Sequence, residues 1–522
     1  MSAGTARGGA RTGAVALRGV TGTLVDVEAD VASGLPAFSL VGLPDSTTLQ
    51  ARERVRAAAG AIGTPLAQRR ITVNLSPAFI HKVGSGFDLG IAVAILAAQG
   101  TLDPEAVAGV VHLGELGLDA TLRPVPGVLP ALIAARAAGV HRAVVPEGNA
   151  REARLVEGIE IVSAADLGRV MRHHGCRAPL NIPERATLAG RTPPVRERPA
   201  GARRPGLDFA DVIGQAQARR AAEVAAAGGH HLMLQGPPGT GKTMIASRIS
   251  GILPALEDED AIALSAIRSL DRTFDAGAGL IRAAPFESPH HTASAPSVIG
   301  GGSGIARPGA VSRAHAGVLF LDEAPEFNSR VLEALREPLE TGDITLHRSL
   351  SVTRYPARFQ LVLAANPCPC GMSWGKGTRC TCTPMQRRSY LKKISGPVLD
   401  RIDMRVDVGP VDPMRRDAGA SESSAEIARR VARARQSQAA RFANEPWHLN
   451  SQIPGPELRR AYAPDERAAS MLQRILSHGE LSLRGHDRVL RVAWTLADLD
   501  GSARPDSDHV GLALTLRGKD QR

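Results

Sequence analysis

The chain lacks any apolar run long enough to cross a bilayer: the longest, Leu89 to Ala98, is far short of the about 20 residues a spanning helix needs. It also lacks the start of a secreted protein. Arg7 and Arg11 are followed only by a broken apolar stretch around Ala14 to Leu17, without the h-region of a secretory signal. No membrane partner is therefore expected, and the expected location is cytoplasmic. Cysteine is sparse as well, with five in 522 residues, which argues against a disulfide framework, and four of the five lie together at Cys368, Cys370, Cys380 and Cys382. Lysine is rare within a basic chain: six of the 63 basic residues are lysine, so a lysine inside a motif stands out.

What is present reads as globular and multidomain. Hydrophobic residues at 43% and charged residues at 22% suit packed cores, and the length suits about three domains at roughly 150 residues each. The net charge of +11 is nearly all arginine, which suits phosphate contacts and equally follows from a genome rich in G and C. Residues 1–180 mix strand-like runs (Leu24 to Val31, Ile71 to Leu75, Ala143 to Pro146) with helical ones (Gln50 to Ala61, Leu89 to Ala98, Leu129 to Ala138), the pattern of an α/β domain. From Thr187 to Gly206 the chain is rich in Pro, Gly and Arg without apolar periodicity, so 181–207 reads as a linker. Residues 208–415 alternate apolar strands with helices, as parallel-sheet nucleotide folds do, and 416–522 read as helical, with segments near Ser424 to Arg441, Glu457 to Arg460, Asp465 to Ser477 and Arg488 to Leu499.

The clearest chemistry is a phosphate site. The short strand HLMLQ (His231 to Gln235) runs into Gly236-Pro237-Pro238-Gly239-Thr240-Gly241-Lys242-Thr243 and then into the helical spacing of MIASRISGIL. In that strand-loop-helix context the glycines let backbone N–H groups wrap phosphates, Lys242 reaches the β- and γ-phosphates of ATP, and Thr243 offers an oxygen to Mg²⁺. GVLFLDEAPEF (Gly317 to Phe327) is an apolar strand ending in two acids, Asp322 for Mg²⁺ and Glu323 for the attacking water. QLVLAAN (Gln360 to Asn366) is a third buried strand whose last residue, Asn366, is expected near the γ-phosphate.

Together with DVIGQ (Asp211 to Gln215), AANPCPCG, SGPVLDRID (Ser395 to Asp403) and LSLRGHDRVLR (Leu481 to Arg491), these runs resemble, in order and over nearly the whole chain, the Mg-chelatase-like AAA+ family of ComM and YifB proteins. The resemblance implies an α/β chain with three parts: a Lon-protease-like (S5 domain 2-like) N-terminal domain, an AAA+ P-loop NTPase core and a helical C-terminal lid. It implies ATP and Mg²⁺ as cofactors, with Ile213 and Gly214 among the nucleotide-binding residues. It further implies Asn366 as sensor 1, Arg401 as an arginine finger presented to the next subunit, Arg484 as sensor 2, and a homo-oligomeric ring, expected to be a hexamer. The N-terminal domain lacks the Lon dyad. Set on the Lon pattern, Lys82-Val83-Gly84-Ser85 puts Gly86 where the serine belongs, and Gly127 to Ala131 holds no base lysine. A serine without a base is a poor nucleophile, so an inactive scaffold is expected.

The cysteines are spaced C-x-C-x9-C-x-C, four soft ligands that allow structural zinc, free thiols or disulfides. Two inserts remain. SPHHTASAPSVIGGGSGIARPGAVSRAHAG (Ser288 to Gly317) resembles the helix-2 insert of this clade, and ITLHRSLSVTRYPARF (Ile344 to Phe359) alternates as a hairpin should. In related rings both point into the pore, which makes His347, Arg348 and Arg354 candidate DNA contacts. Arg387, Arg388, Lys392 and Lys393 read as a solvated face. The function the resemblance implies is a ring motor on single-stranded or branched DNA, a branch-migration helicase in recombination and natural transformation. The alternative is a protein-remodelling ATPase like the magnesium chelatase I subunit.

Overall fold

In the N-terminal part, seven strands form one sheet: β1 (Gly9–Arg18), β2 (Thr21–Ala32), β3 (Ala37–Val41), β4 (Arg70–Ser76), β5 (Val110–His112), β6 (Arg142–Pro146) and β7 (Glu160–Ala164), in the order β3-β4-β2-β1-β5-β6-β7. The computed structural model describes residues 9–182, 207–302, 306–348, 351–411 and 422–518, so the expected linker lies almost wholly outside the described residues. β1, β2 and β4 pair antiparallel, and β5, β6 and β7 continue from β1 in parallel. Three helices pack on this sheet: α1 (Ala51–Ala61), α2 (Asp88–Ala98) and α3 (Val128–Ala137). The apolar run that was too short for a membrane is α2, which is buried on every side within this core. Its one charge, Asp88, lies at the first turn and is met by the Arg54 guanidinium, with Nη2 to Oδ1 at 2.9 Å.

The second sheet explains itself by alternation. Its strands are β8 (Leu232–Gln235), β9 (Phe286–Glu287), β10 (Val318–Leu321), β13 (Gln360–Ala365) and β14 (Met404–Asp407), all parallel, in the order β9-β10-β13-β8-β14; between β10 and β13 the chain makes a separate hairpin of β11 (Asp343–Arg348) and β12 (Ser351–Pro356). Leu232, Leu234, Phe320, Val362 and Val406 face one core, while Met233, Leu319, Leu321 and Leu363 face another. A parallel sheet buried on both faces needs such continuous apolar strands. The first face is covered by α4 (Ala216–Gly228), α5 (Lys242–Ile252) and C-terminal helices, and the second by the end of α6 (Asp258–Leu270), the insert helix α7 (Ala295–Ile299) and the hairpin.

The C-terminal helices are α8 (Ser424–Arg441), α9 (Gly455–Arg460), α10 (Glu466–Ser477), α11 (Leu483–Asp500) and α12 (Ser507–Arg517). α11 starts a full turn before the expected Arg488, because Ser482 caps it by accepting from the Gly485 N–H at 3.1 Å. α12, not anticipated from the sequence, is capped by Asp506.

The N-terminal sheet is docked on the second unit. The tight β1–β2 turn brings Gly19, at φ +61°, so close to β12 that a Cβ there would lie 2.8 Å from the Arg354 carbonyl oxygen. Nearby, Ser269 at the end of α6 donates to the buried carboxylate of Glu152, and Leu270 fills the space beside Gly127. Among the described residues no helix is long and apolar enough to cross a membrane.

Candidate active site

Parallel strands deliver their carboxyl ends to one edge, and the site is built there. From the end of β8 the chain turns through 236–241 into α5. Gly236 passes so near β14 that a Cβ would sit 2.0 Å from the Val408 carbonyl oxygen, and Gly241, at φ +90°, starts the helix in a conformation that favours glycine. The Lys242 ammonium is drawn inward, donating to the carbonyls of Gly236 (2.7 Å) and Pro237 (2.8 Å) and to Asn366 Oδ1 (3.2 Å). Burial lowers its pKa, and the charges of Asp322 and Glu323 pull it back up.

β10 lies beyond β13 and ends in the acid pair. Thr243 Oγ1 donates to Asp322 Oδ2 at 2.7 Å, so the hydroxyl and carboxylate assigned to Mg²⁺ are adjacent, an oxygen pair suited to that hard cation. Glu323 follows in the left-handed region at φ 51°, which carries its carboxylate away from the strand line. Lys242, Thr243, Asp322, Glu323 and Asn366 are therefore brought together as the sequence suggested. The neighbouring DVIGQ run is tied to the loop by a residue that the sequence reading passed over: Gln215 donates from Nε2 to the carbonyls of Thr240 (3.1 Å) and Gly409 (2.6 Å). Beside it Ile213 is 63% exposed, and Gly214 lies against Val411, itself 40% exposed, which leaves an apolar rim next to the phosphate loop.

Just past Asn366, the four cysteines close on themselves. Cys368 Sγ lies 3.4 Å from Cys370 Sγ and 3.7 Å from Cys380 Sγ, Cys370 and Cys380 are 3.7 Å apart, and all four sulfurs fall within 4.8 Å of one another. Tetrahedral zinc with sulfurs at about 2.3 Å requires sulfurs about 3.8 Å apart, so the donor set fits that ion. Backbone N–H groups of Met372 and Thr381 hold the Cys370 thiol down to about 5. The loop presses on the phosphate loop, since a Cβ on Gly371 would meet Pro238 Cδ at 2.7 Å.

The remaining arginines lie elsewhere. Arg401 precedes β14, at the amino end of the sheet, where it pairs with Glu340 and donates to the Pro397 carbonyl at 2.8 Å. Arg484 reaches over from α11 to within 3.5 Å of Asp400. Both line a cavity of about 1060 Å³ that also exposes His231, the residue before β8. The phosphate loop is at the other end of that four-residue strand, about 13 Å away at about 3.3 Å per residue. The structure brings neither arginine to the phosphate loop of its own chain.

Three family models cover most of the chain: magnesium chelatase subunit ChlI over 208–415, subunit ChlI of Mg-chelatase over 27–149, and the ChlI C-terminal model over 421–517. An uncharacterized protein of Mycobacterium tuberculosis is 46% identical over 97% of this chain and 98% of its own length. YifB of Escherichia coli is 41% identical over 96% of both chains, and the competence protein ComM of Haemophilus influenzae is 39% identical over 96% of this chain and 95% of its own. The chain belongs to the Mg-chelatase-like AAA+ ATPase family of ComM and YifB.

Against that family background the two inserts can be placed. The hairpin forms as expected, with Ile344 opposite Tyr355 and Leu346 opposite Thr353 facing the core. His347 and Arg354 fall on the outer face; Arg348 falls on the other, against Gly301 of the preceding insert. The three candidate DNA contacts are exposed but do not share a face, and the Arg354 guanidinium is already paired with Asp343. The preceding insert supplies a residue that the sequence reading did not single out: His291 Nδ1 is 3.2 Å from Glu323 Oε2. The paired histidines of SPHHTASAP were the available signal.

Proposed function

We propose that the chain is an ATP-hydrolysing ring motor that moves along DNA, a branch-migration helicase of the ComM type acting in recombination and natural transformation. The observation that carries this reading is likeness over nearly the whole length to a relative named a competence protein, joined to an exposed hairpin with His347 and Arg354 on its outer face. Sequence-independent transport needs phosphate contacts and no base readout, and a short basic hairpin supplies them.

Within one chain, Thr243 and Asp322 would hold Mg²⁺, which neutralises charge on the transferred phosphoryl group when bound. Lys242 fixes the terminal phosphates, Asn366 orients the attacking water and Glu323 accepts its proton. Arg401 and Arg484, facing away from their own phosphate loop, act on the ATP of the next subunit in a ring, a hexamer in this reading. The four-cysteine loop binds one structural zinc and buttresses Pro238. In the N-terminal domain, read as an inactive Lon-like scaffold, Ser85 donates to Glu115 and the Lys82 ammonium donates to the Pro77 carbonyl, so neither serves the other as nucleophile and base. The deciding experiment is the ATPase rate with and without single-stranded, duplex and forked DNA. Stimulation by forked or single-stranded DNA is the expected result; indifference to all three would move the assignment to protein remodelling.

A further inference from the structure

Between Asp343 and Asp400 the chain runs for 56 residues without an acid, although one residue in ten of the whole is acidic, 52 of 522. A bias toward arginine does not remove acids, and this stretch also holds three of the six lysines, Lys376, Lys392 and Lys393. Charge of one sign is gathered here beyond the basic excess of the chain.

The part that leaves β13 at Asn366 is held as one surface. The four-cysteine loop carries Lys376 and Arg379, and the helix Pro384–Lys392 follows it directly, started by a capping box between Thr383 and Gln386. Tyr390 is buried and Leu391 packs on the second core of the sheet, which fixes the inner side of the helix. At about 100° per residue, Met385, Arg388, Ser389 and Lys392 fall on the opposite side, and all four are exposed. Lys393 is tied to Glu326 at 3.2 Å. Among the described residues, Lys376, Arg379, Arg387, Arg388 and Lys392 have no carboxylate partner, whereas Arg354, Arg358 and Arg401 each find one. The four thiolates and one zinc assigned to the loop sum to two negative charges, which these five cations outnumber. The hairpin enters β13 at its amino end and this surface leaves it at its carboxyl end, so the two are separate contacts.

We propose that the cysteine loop and the helix Pro384–Lys392 form a second DNA surface, which holds by its phosphates a segment of a branched substrate other than the one gripped by the hairpin. The proposal rests on the reading of the chain as a motor on DNA. A branched substrate has more than one segment to hold, and phosphate contacts position each without reading its sequence.

The test is fluorescence anisotropy across salt concentrations, on a forked DNA and on a single-stranded oligonucleotide as long as one fork arm. The proteins are wild type, Arg388→Gln with Lys392→Gln, Lys376→Gln with Arg379→Gln, and Arg388→Lys. Each glutamine pair is expected to lower fork affinity on the order of tenfold and to reduce the fork's salt slope by about two units, one per lost contact. Single-strand affinity, basal ATPase and thermal midpoint are expected to stay at wild-type values, and Arg388→Lys, which keeps the charge, is expected to bind the fork as wild type does. The helix pair lies clear of the cysteines, so its result stands even where the loop pair unfolds the loop. Unchanged fork affinity and slope in the helix pair, with wild type binding the fork, overturns the second surface and leaves the motor reading standing. An equal loss for the single strand also overturns it, by placing these cations on the path of the hairpin. Binding of polyglutamate that falls in the glutamine pairs while fork binding holds assigns the surface to an acidic protein instead. A wild type that binds neither DNA fails the motor reading itself, and the proposal with it.

Discussion

Lys242 holds its charge in a place where water has been largely removed, kept there by two carbonyls and by the two acids across the site. Phosphate oxygens suit those donors better than neutral carbonyls do. Lys242→Ala is therefore expected to weaken Mg-ATP binding by about 2–3 kcal/mol, roughly a hundredfold, measured by titration with a fluorescent analogue. Glu323→Gln removes proton acceptance and leaves the cradle intact. It is expected to bind ATP normally and to lose about 10²- to 10⁴-fold in kcat; equal turnover in wild type and the variant would falsify its role. These residues were legible because their chemistry is tied to spacing along one strand-loop-helix unit or to the tip of one apolar strand. Gln215, at the end of the DVIGQ run, and His291, one of a histidine pair, were not: their partners lie far away in sequence, and neither run tells which group it meets.

At the scale of elements, the alternation of Ile344, Leu346, Thr353 and Tyr355 was enough to read a hairpin, and strict pairing then assigned each basic residue to a face. What alternation does not carry is the neighbour on the strand's own outer face, so the pairing of Arg354 with Asp343 was invisible. That pairing has a consequence for DNA binding. Arg354→Ala together with His347→Ala is expected to lower affinity alike for all sequences and to reduce the salt slope by about one unit per lost contact, while basal ATPase persists. Asp343→Ala alone, by freeing the guanidinium, is expected to move affinity the other way; a fluorescence-anisotropy series across salt concentrations reads both. The cysteine loop is an element of a different kind, in which a sparse sequence pattern leaves zinc, thiols and disulfides open and the converging sulfurs are consistent with zinc. Metal analysis is expected to give about one zinc per chain. Stripping it, or Cys370→Ser, is expected to lower the thermal midpoint and to weaken nucleotide binding several-fold through Pro238.

The whole molecule is arranged about the direction of its parallel sheet. Parts of that arrangement were out of reach of the sequence, above all the seating of the Gly19 turn on β12, because contacts between domains leave no periodicity in either. The direction of the sheet itself was legible, and it governs Arg401. The phosphate loop is at the carboxyl end of β8 and Arg401 lies ahead of β14 at the amino end, so the length of the four-residue strand, about 13 Å at about 3.3 Å each, separates the two ends of the sheet. Its guanidinium is held by Glu340 and lines an open cavity, and in the ring proposed above it would be presented to a neighbour. A head-to-tail interface that closes on itself makes a ring in which every ATP lies between one subunit's loop and the next subunit's arginine. Mixing then becomes diagnostic. Arg401→Ala subunits keep a working loop and Lys242→Ala subunits keep a working finger, so each pure preparation is expected to be inactive, an arginine finger being worth about 10³ to 10⁵ in turnover. In randomly mixed rings about a quarter of the interfaces join an intact loop to an intact finger, and about that share of the wild-type ATPase is expected to return. Should mixed rings assemble, as judged by co-purification of differently tagged subunits, and recover no ATPase, Arg401 does not act across the boundary.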